Sequence, residues 1–160
     1  MKTKAIFFGS FNPFHIGHLN ILRKAENTFG KGNVIIAMGI NPDKFNSVEE
    51  RDAYIEDKEG DALILSKKIE CEVITYNKFM HQVVETYEGL GYNVVIIRGI
   101  RNGTDLDYET TQMRYVSEFK KDINVVYITC DKEFEHISSS AIKKIMSFNG
   151  GYEMGLKYLV

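Results

Sequence analysis

Two histidines three residues apart, His15 and His18, lie in the stretch GSFNPFHIGH that runs from Gly9 to His18. They flank Gly17 where a short apolar run gives way to a helical pattern. At the start of a helix the free N–H groups and the dipole favour an anion, and phosphate is the obvious one. Gly9 lets the backbone turn tightly or approach a ligand, Ser10 offers a hydroxyl and an amide, and Pro13 stiffens the turn. Two other readings stand beside this one. Histidines at i and i+3 share a helix face and could bind zinc, but no third ligand follows at a suitable spacing. They could also serve only structural hydrogen bonds. The stretch matches neither the G-x-G-x-x-G dinucleotide fingerprint nor a P-loop.

Two further blocks carry comparable chemistry. In RGIRNGTDLDYE, from Arg98 to Glu109, two guanidinium groups leave a strand end with Gly99 between them, a fork arrangement suited to phosphate oxygens. The same arginines could instead form surface ion pairs with Asp105, Asp107 and Glu109. In FEHISSSAIKK, from Phe134 to Lys144, the serines supply hydroxyls and free amides at a helix start, or simply cap it. Three strand-end anion sites in one chain favour a polyphosphate ligand.

The elements that must position these blocks alternate along the chain. KAIFFG, NVIIAMG, CEVITY, NVVIIRG and INVVYIT are apolar almost throughout, as expected of strands covered on both faces. Helical patterns lie between them, at Gly17–Phe29, Val48 to about Lys68, Lys78–Leu90, about Tyr108–Lys121 and Ser138–Phe148. Ser47 and Glu50 form a capping box ahead of the second, and Gly60 predicts a kink or break inside it. Leu90-Gly91 and the run Phe148 to Gly151 read as helix ends. The alternation predicts an α/β fold: a five-stranded parallel sheet, doubly wound and Rossmann-like, with ligands beyond the carboxyl ends of its strands. No repeat or linker divides the 160 residues, so a single domain over 1–160 is expected.

A net charge of −2 leaves no basic field for nucleic acid and no polybasic patch for a membrane. The N-terminal MKTKAIFFGS has too short an apolar core for a signal peptide. Cys71 and Cys130 sit inside β-like runs and read as buried free thiols, so a reducing cytoplasm is expected.

The first block resembles the (H/T)-x-G-H signature of the nucleotidyltransferase superfamily. With the second and third blocks in this order and spacing, nearly the whole chain resembles the phosphopantetheine adenylyltransferase family. That resemblance implies in-line transfer of the adenylyl group of ATP to 4'-phosphopantetheine, giving dephospho-coenzyme A and pyrophosphate without a covalent enzyme intermediate. It gives His18 the contact to the α-phosphate, with Ser10 and Phe11 close to the nucleotide. Lys44 and Arg98 would hold the acceptor phosphate and Met80 would meet the pantetheine arm. Arg101, Ser138, Ser139 and Ser140 would hold the distal phosphates. Gly99, Ile100, Arg101, Glu109, Phe134, Glu135, His136 and Ile137 would surround the adenosine. Magnesium bridging the ATP phosphates, no metal held by protein side chains alone, and a homo-oligomer, a hexamer in the family, are implied as well. Ser10, Asn12 and His15 stand where the family usually has Thr, Asp and Thr, and NPFHIGH is closer to nicotinate or nicotinamide mononucleotide adenylyltransferases. A mononucleotide acceptor is therefore the alternative within this class, and a non-catalytic ATP-binding module the alternative outside it.

Overall fold

The computed structural model describes residues 1–41 and 45–160. Five strands, β1 (Thr3–Gly9), β2 (Val34–Gly39), β3 (Glu72–Tyr76), β4 (Asn93–Ile100) and β5 (Val125–Thr129), form one parallel sheet in the order β3-β2-β1-β4-β5. β1 is central and pairs with both β2 and β4, so the strand order reverses beside it. The carboxyl ends of β1 and β4 therefore border the crevice in which such sheets bind ligands.

Period-two side-chain alternation splits the apolar strands between two cores. Ala5, Phe7, Ile36 and Ile97 face one side of the sheet and pack against Ile21, Leu22 and Ala25 of α1 (Ile16–Phe29) and Leu65 and Ile69 of α2 (Val48–Ile69). Ile6, Phe8, Ile35 and Ile96 face the other, under Val83 and Val84 of α3 (Met80–Gly89) and Met113 of α4 (Gly103–Phe119). Helices thus cover both faces, which is why the strands read as continuous apolar runs. After β5 come α5 (Ser139–Ser147) and a short α6 (Gly151–Leu156). No helix among the described residues is long and apolar enough to cross a membrane.

Three local expectations need correction. α4 starts at Gly103 rather than near Tyr108, because the side chain of Asn102 accepts from the Asp105 N–H and caps it. The break expected at Gly60 is absent. α2 runs unbroken for 22 residues, with Ala62, Leu65 and Ile69 buried beyond Gly60, and packing there outweighs the roughly 1 kcal/mol propensity cost of one glycine. The helix end expected at the run Phe148 to Gly151 is present, and the C-terminal tail beyond it forms α6, which folds against α5. A Cβ on Gly151 would stand 1.8 Å from the Ile145 carbonyl oxygen, so only glycine permits that approach. The cysteines are free but half-buried rather than buried. The Cys71 thiol donates to the Val34 carbonyl, and burial pushes it up to about 11.

Gly60 is exposed and a Cβ there would meet nothing within 4 Å. Gly60→Ala should therefore raise unfolding free energy by about 0.5–1 kcal/mol. Gly151→Ala should lower it by more than that, because backbone must move. Denaturant melts of both variants check this; a neutral Gly151→Ala would contradict the close α5–α6 packing.

Candidate active site

The first helix begins on a residue that seldom caps. His15 has an extended backbone, and its Nδ1 accepts from the N–H groups of Gly17 (3.1 Å) and His18 (3.3 Å), while the Nδ1 of His18 accepts from the His15 N–H (3.1 Å). This is the reciprocal capping-box pattern built from two imidazoles. The rings stack with centroids 3.6 Å apart. Gly17 is required between them, since a Cβ there would meet the His15 ring at 2.9 Å. Because both Nδ1 atoms accept, both rings are neutral Nε2–H tautomers.

Burial reinforces this state. Desolvation, then the Arg101 charge, lowers His15 to about 4. Burial, then His15, then Arg101, hold His18 well below the ordinary histidine range. His18 thus offers the site a neutral donor. Both Nδ1 lone pairs are spent on backbone N–H groups, and no group of three His, Cys, Asp or Glu side chains suited to a metal occurs among the described residues.

The loop leading into this cap is held by aromatic packing. Phe11 adopts φ 46°, a left-handed conformation costly for a non-glycine residue. The conformation buries its ring edge-on to Phe7, 5.0 Å away, and to His18, 4.9 Å away. Two distant segments brace the same loop. The Ser139 hydroxyl donates to the Pro13 carbonyl (3.0 Å), and the Ile16 N–H donates to Tyr158 O as Leu159 forms a β-bridge with His15.

Beside the loop a cleft of about 290 Å³ opens at the carboxyl ends of β1, β4 and β5. It brings together Ser10, Phe11 and His18 from the first block, Arg98, Gly99, Ile100, Arg101 and Glu109 from the second, and Phe134, Ile137, Ser138 and Ser139 from the third. A second cleft, of about 840 Å³, shares Gly9, Ser10 and Arg98 with the first and is lined by Met80. Glu135, His136 and Ser140 are exposed and do not line either cleft. Lys44 lies outside the described residues.

Both arginines are pinned. Arg98 donates from Nε and Nη2 to the two carboxylate oxygens of Glu109 and from Nη1 to the Phe8 carbonyl. With side chains only 13% and 14% exposed, Arg98 and Glu109 form an oriented pair within the cleft rather than a surface ion pair. Arg101 is held likewise by Asp105, whose carboxyl the Arg101 hydrogen bond keeps below its usual range. Asp107 is exposed and takes no part in these pairs. At the head of α5 the Ser138 hydroxyl caps Ala141 N–H, so the amides of Ser139 and Ser140, which have no intrahelical acceptor, remain for an anion. Sequence reasoning missed Cys130, which lines the cleft, and the role of the tail behind the loop. The β-like run around Cys130 signalled its strand end only, and nothing in the tail's composition signalled its return to His15.

A doubly wound parallel sheet with a His-x-Gly-His helix start at its switch point, and phosphate-ready strand ends around it, defines a nucleotidyltransferase. A family model described as cytidylyltransferase-like matches residues 6–145. A phosphopantetheine adenylyltransferase of Chromobacterium violaceum is 33% identical over 159 residues, 98% of this chain and 90% of that protein. One of Clostridium perfringens is 32% identical over 145 residues, 91% of this chain and 82% of that protein. The solved Plasmodium falciparum nicotinic acid mononucleotide adenylyltransferase complexed with NaAD matches with a TM-score of 0.56 at 14% identity, covering 99% of this chain and 91% of that one, a likeness of fold. The chain belongs to the cytidylyltransferase-like family and, within it, to the phosphopantetheine adenylyltransferases.

The histidine pair makes stability acid-sensitive in a defined window. An unfolded histidine takes up a proton near 6.5 whereas folded His15 does so only near 4, so acid favours the unfolded chain. This contribution should be absent above about pH 6.5 and should cost on the order of 3 kcal/mol as pH falls to about 4. His15→Asn keeps a capping side chain and removes that titration. Urea melts between pH 7 and 4 should show a smaller acid loss in the variant; identical losses would contradict the assignment.

Proposed function

We propose that the protein transfers the adenylyl group of ATP to 4'-phosphopantetheine, forming dephospho-coenzyme A and pyrophosphate. The observation that carries this reading is the meeting of two clefts at Gly9, Ser10 and Arg98. ATP fits the cleft beneath His18 and the head of α5, and the acceptor fits the larger cleft, with its arm along Met80. The reacting phosphates then meet at the shared residues. The names of the relatives support phosphopantetheine as the acceptor.

In the reaction an acceptor phosphate oxygen attacks the α-phosphorus, the bond to the bridging oxygen of the β-phosphate breaks, and pyrophosphate departs. The nucleophile is already ionised at neutral pH, so no general base is needed, and the work is positioning and charge stabilisation. His18 donates Nε2–H to a non-bridging α-phosphate oxygen, where charge builds in the transition state. Arg98, oriented by Glu109 and Phe8, presents its remaining N–H groups at the junction of the two clefts to the acceptor phosphate. Arg101 and the α5 amides hold the β- and γ-phosphates. Gly99, Ile100, Phe134 and Ile137 line the space for adenosine. Magnesium supplies charge neutralisation on the polyphosphate when bound.

Pyrophosphate release measured with 4'-phosphopantetheine, nicotinamide mononucleotide and nicotinate mononucleotide tests the proposal. Turnover is expected with the first only, and His18→Ala should lower kcat by ~10²-fold or more while ATP affinity changes less. Turnover confined to a mononucleotide would overturn the acceptor, and ATP binding without pyrophosphate release from any acceptor would overturn the enzyme.

A further inference from the structure

The larger cleft contains a polar group that the reaction scheme above does not use. Tyr76 is the last residue of β3 and pairs in register with Gly39, the last residue of β2. Its ring packs edge-on against Phe8, centroids 5.3 Å apart, and the Phe8 carbonyl is the acceptor that fixes Nη1 of Arg98. One phenylalanine thus locates both the tyrosine ring and the arginine fork. The ring carries its hydroxyl over Gly39: a Cβ built on that glycine would stand 3.3 Å from Tyr76 Oη and 3.6 Å from the Gly9 carbonyl oxygen. Glycine at 39 therefore keeps open the space between the tyrosine hydroxyl and the end of β1.

Tyr76, Gly39, Gly9, Ser10 and Arg98 all line this cleft. Among the described residues the Tyr76 hydroxyl makes no hydrogen bond, whereas three longer polar arms of the same cleft are engaged. Gln82 accepts from the Phe79 N–H, Lys78 donates to Thr86, and Arg98 is held by Glu109 and Phe8. A half-buried phenol with no hydrogen-bond partner among the described residues, in a cleft wall beside a fixed guanidinium, is a donor available to a ligand oxygen.

We infer that Tyr76 is an acceptor-binding residue whose hydroxyl donates a hydrogen bond to the phosphate of the acceptor, alongside Arg98. The inference rests on the proposed function in placing a phosphate monoester in this cleft. Burial raises the Tyr76 pKa above its usual value, with the Arg98 charge opposing the shift, so the phenol keeps its proton at neutral pH and donates rather than accepts. A neutral donor suits this position. The acceptor phosphate must remain nucleophilic, and a neutral hydrogen-bond donor positions it without adding a further full positive charge.

The test is Tyr76→Phe, which preserves the ring packed on Phe8. Acceptor KM and kcat are measured at saturating ATP with every acceptor the parent turns over, and ATP affinity is measured by calorimetry. The expected result is a rise of about tenfold in acceptor KM with kcat within about twofold and ATP affinity unchanged. Calorimetry with pantetheine, which lacks the phosphate, adds a readout that packing alone would not separate: its affinity should be the same for parent and variant. An unchanged acceptor KM, or equal weakening of phosphopantetheine and pantetheine, would overturn the role of Tyr76. Parent turnover of a mononucleotide only would overturn the acceptor reading instead, and the Tyr76 comparison is then made on that mononucleotide's phosphate.

Discussion

The exchange of backbone hydrogen bonds between the rings of His15 and His18 is the constraint on which the rest of the site depends. Two imidazoles stacked 3.6 Å apart replace the Ser and Glu of an ordinary capping box. The exchange fixes where α1 begins, fixes each ring as an Nε2–H donor, and requires glycine at 17. It also explains why so much unrelated structure converges on a short loop. The left-handed Phe11 presses its ring against His18, Ser139 bonds the Pro13 carbonyl, and the tail pairs with the backbone of His15 and Ile16. Each contact limits motion of the ring to which the proposed function gives charge stabilisation, a task that needs its position set to within a fraction of an ångström.

Electrostatics divides the cleft into fixed charges and one neutral donor. Arg98 and Arg101 are each tied by a carboxylate, so their orientation is set before any anion arrives and little side-chain entropy remains to be lost on binding. Burial, reinforced by the Arg101 charge, keeps the histidines uncharged. On the proposed function, a charged His18 would bind the ground-state polyphosphate more tightly, whereas a neutral N–H donor would strengthen its bond as charge develops on the α-phosphoryl oxygens. The ion pairs with Glu109 and Asp105 fix the direction in which each arginine points.

The sheet was legible because strands covered on both faces are apolar at every position, as in AIFF, VIIAM and VVII. Helix interiors were legible too, but not every boundary. The Asn102 cap was masked by the turn-like Asn-Gly pair, and Gly60 suggested a break that packing beyond it overrides. The three blocks could be placed at strand ends around one cleft, since residue type and fold class together dictate that location. What stayed hidden depends on long-range geometry: Glu109 as the partner of Arg98, the tail behind His15, and Tyr76 over Gly39. His15 was only half legible. Its place at a helix start suggested an anion site, and the local spacing could not show that its own ring supplies the cap.

On the proposed function His18 enters the reaction as a neutral Nε2–H donor fixed by its neighbour. Nitrogen-15 NMR of the histidine side chains, followed from about pH 8 to about pH 5, reads tautomer and charge directly. The account predicts that His15 and His18 both show a bare Nδ1 and a protonated Nε2 throughout, without the imidazolium transition of an ordinary histidine near 6.5. An Nδ1–H tautomer at His18, or a His18 imidazolium already formed between pH 6 and 7, would contradict it.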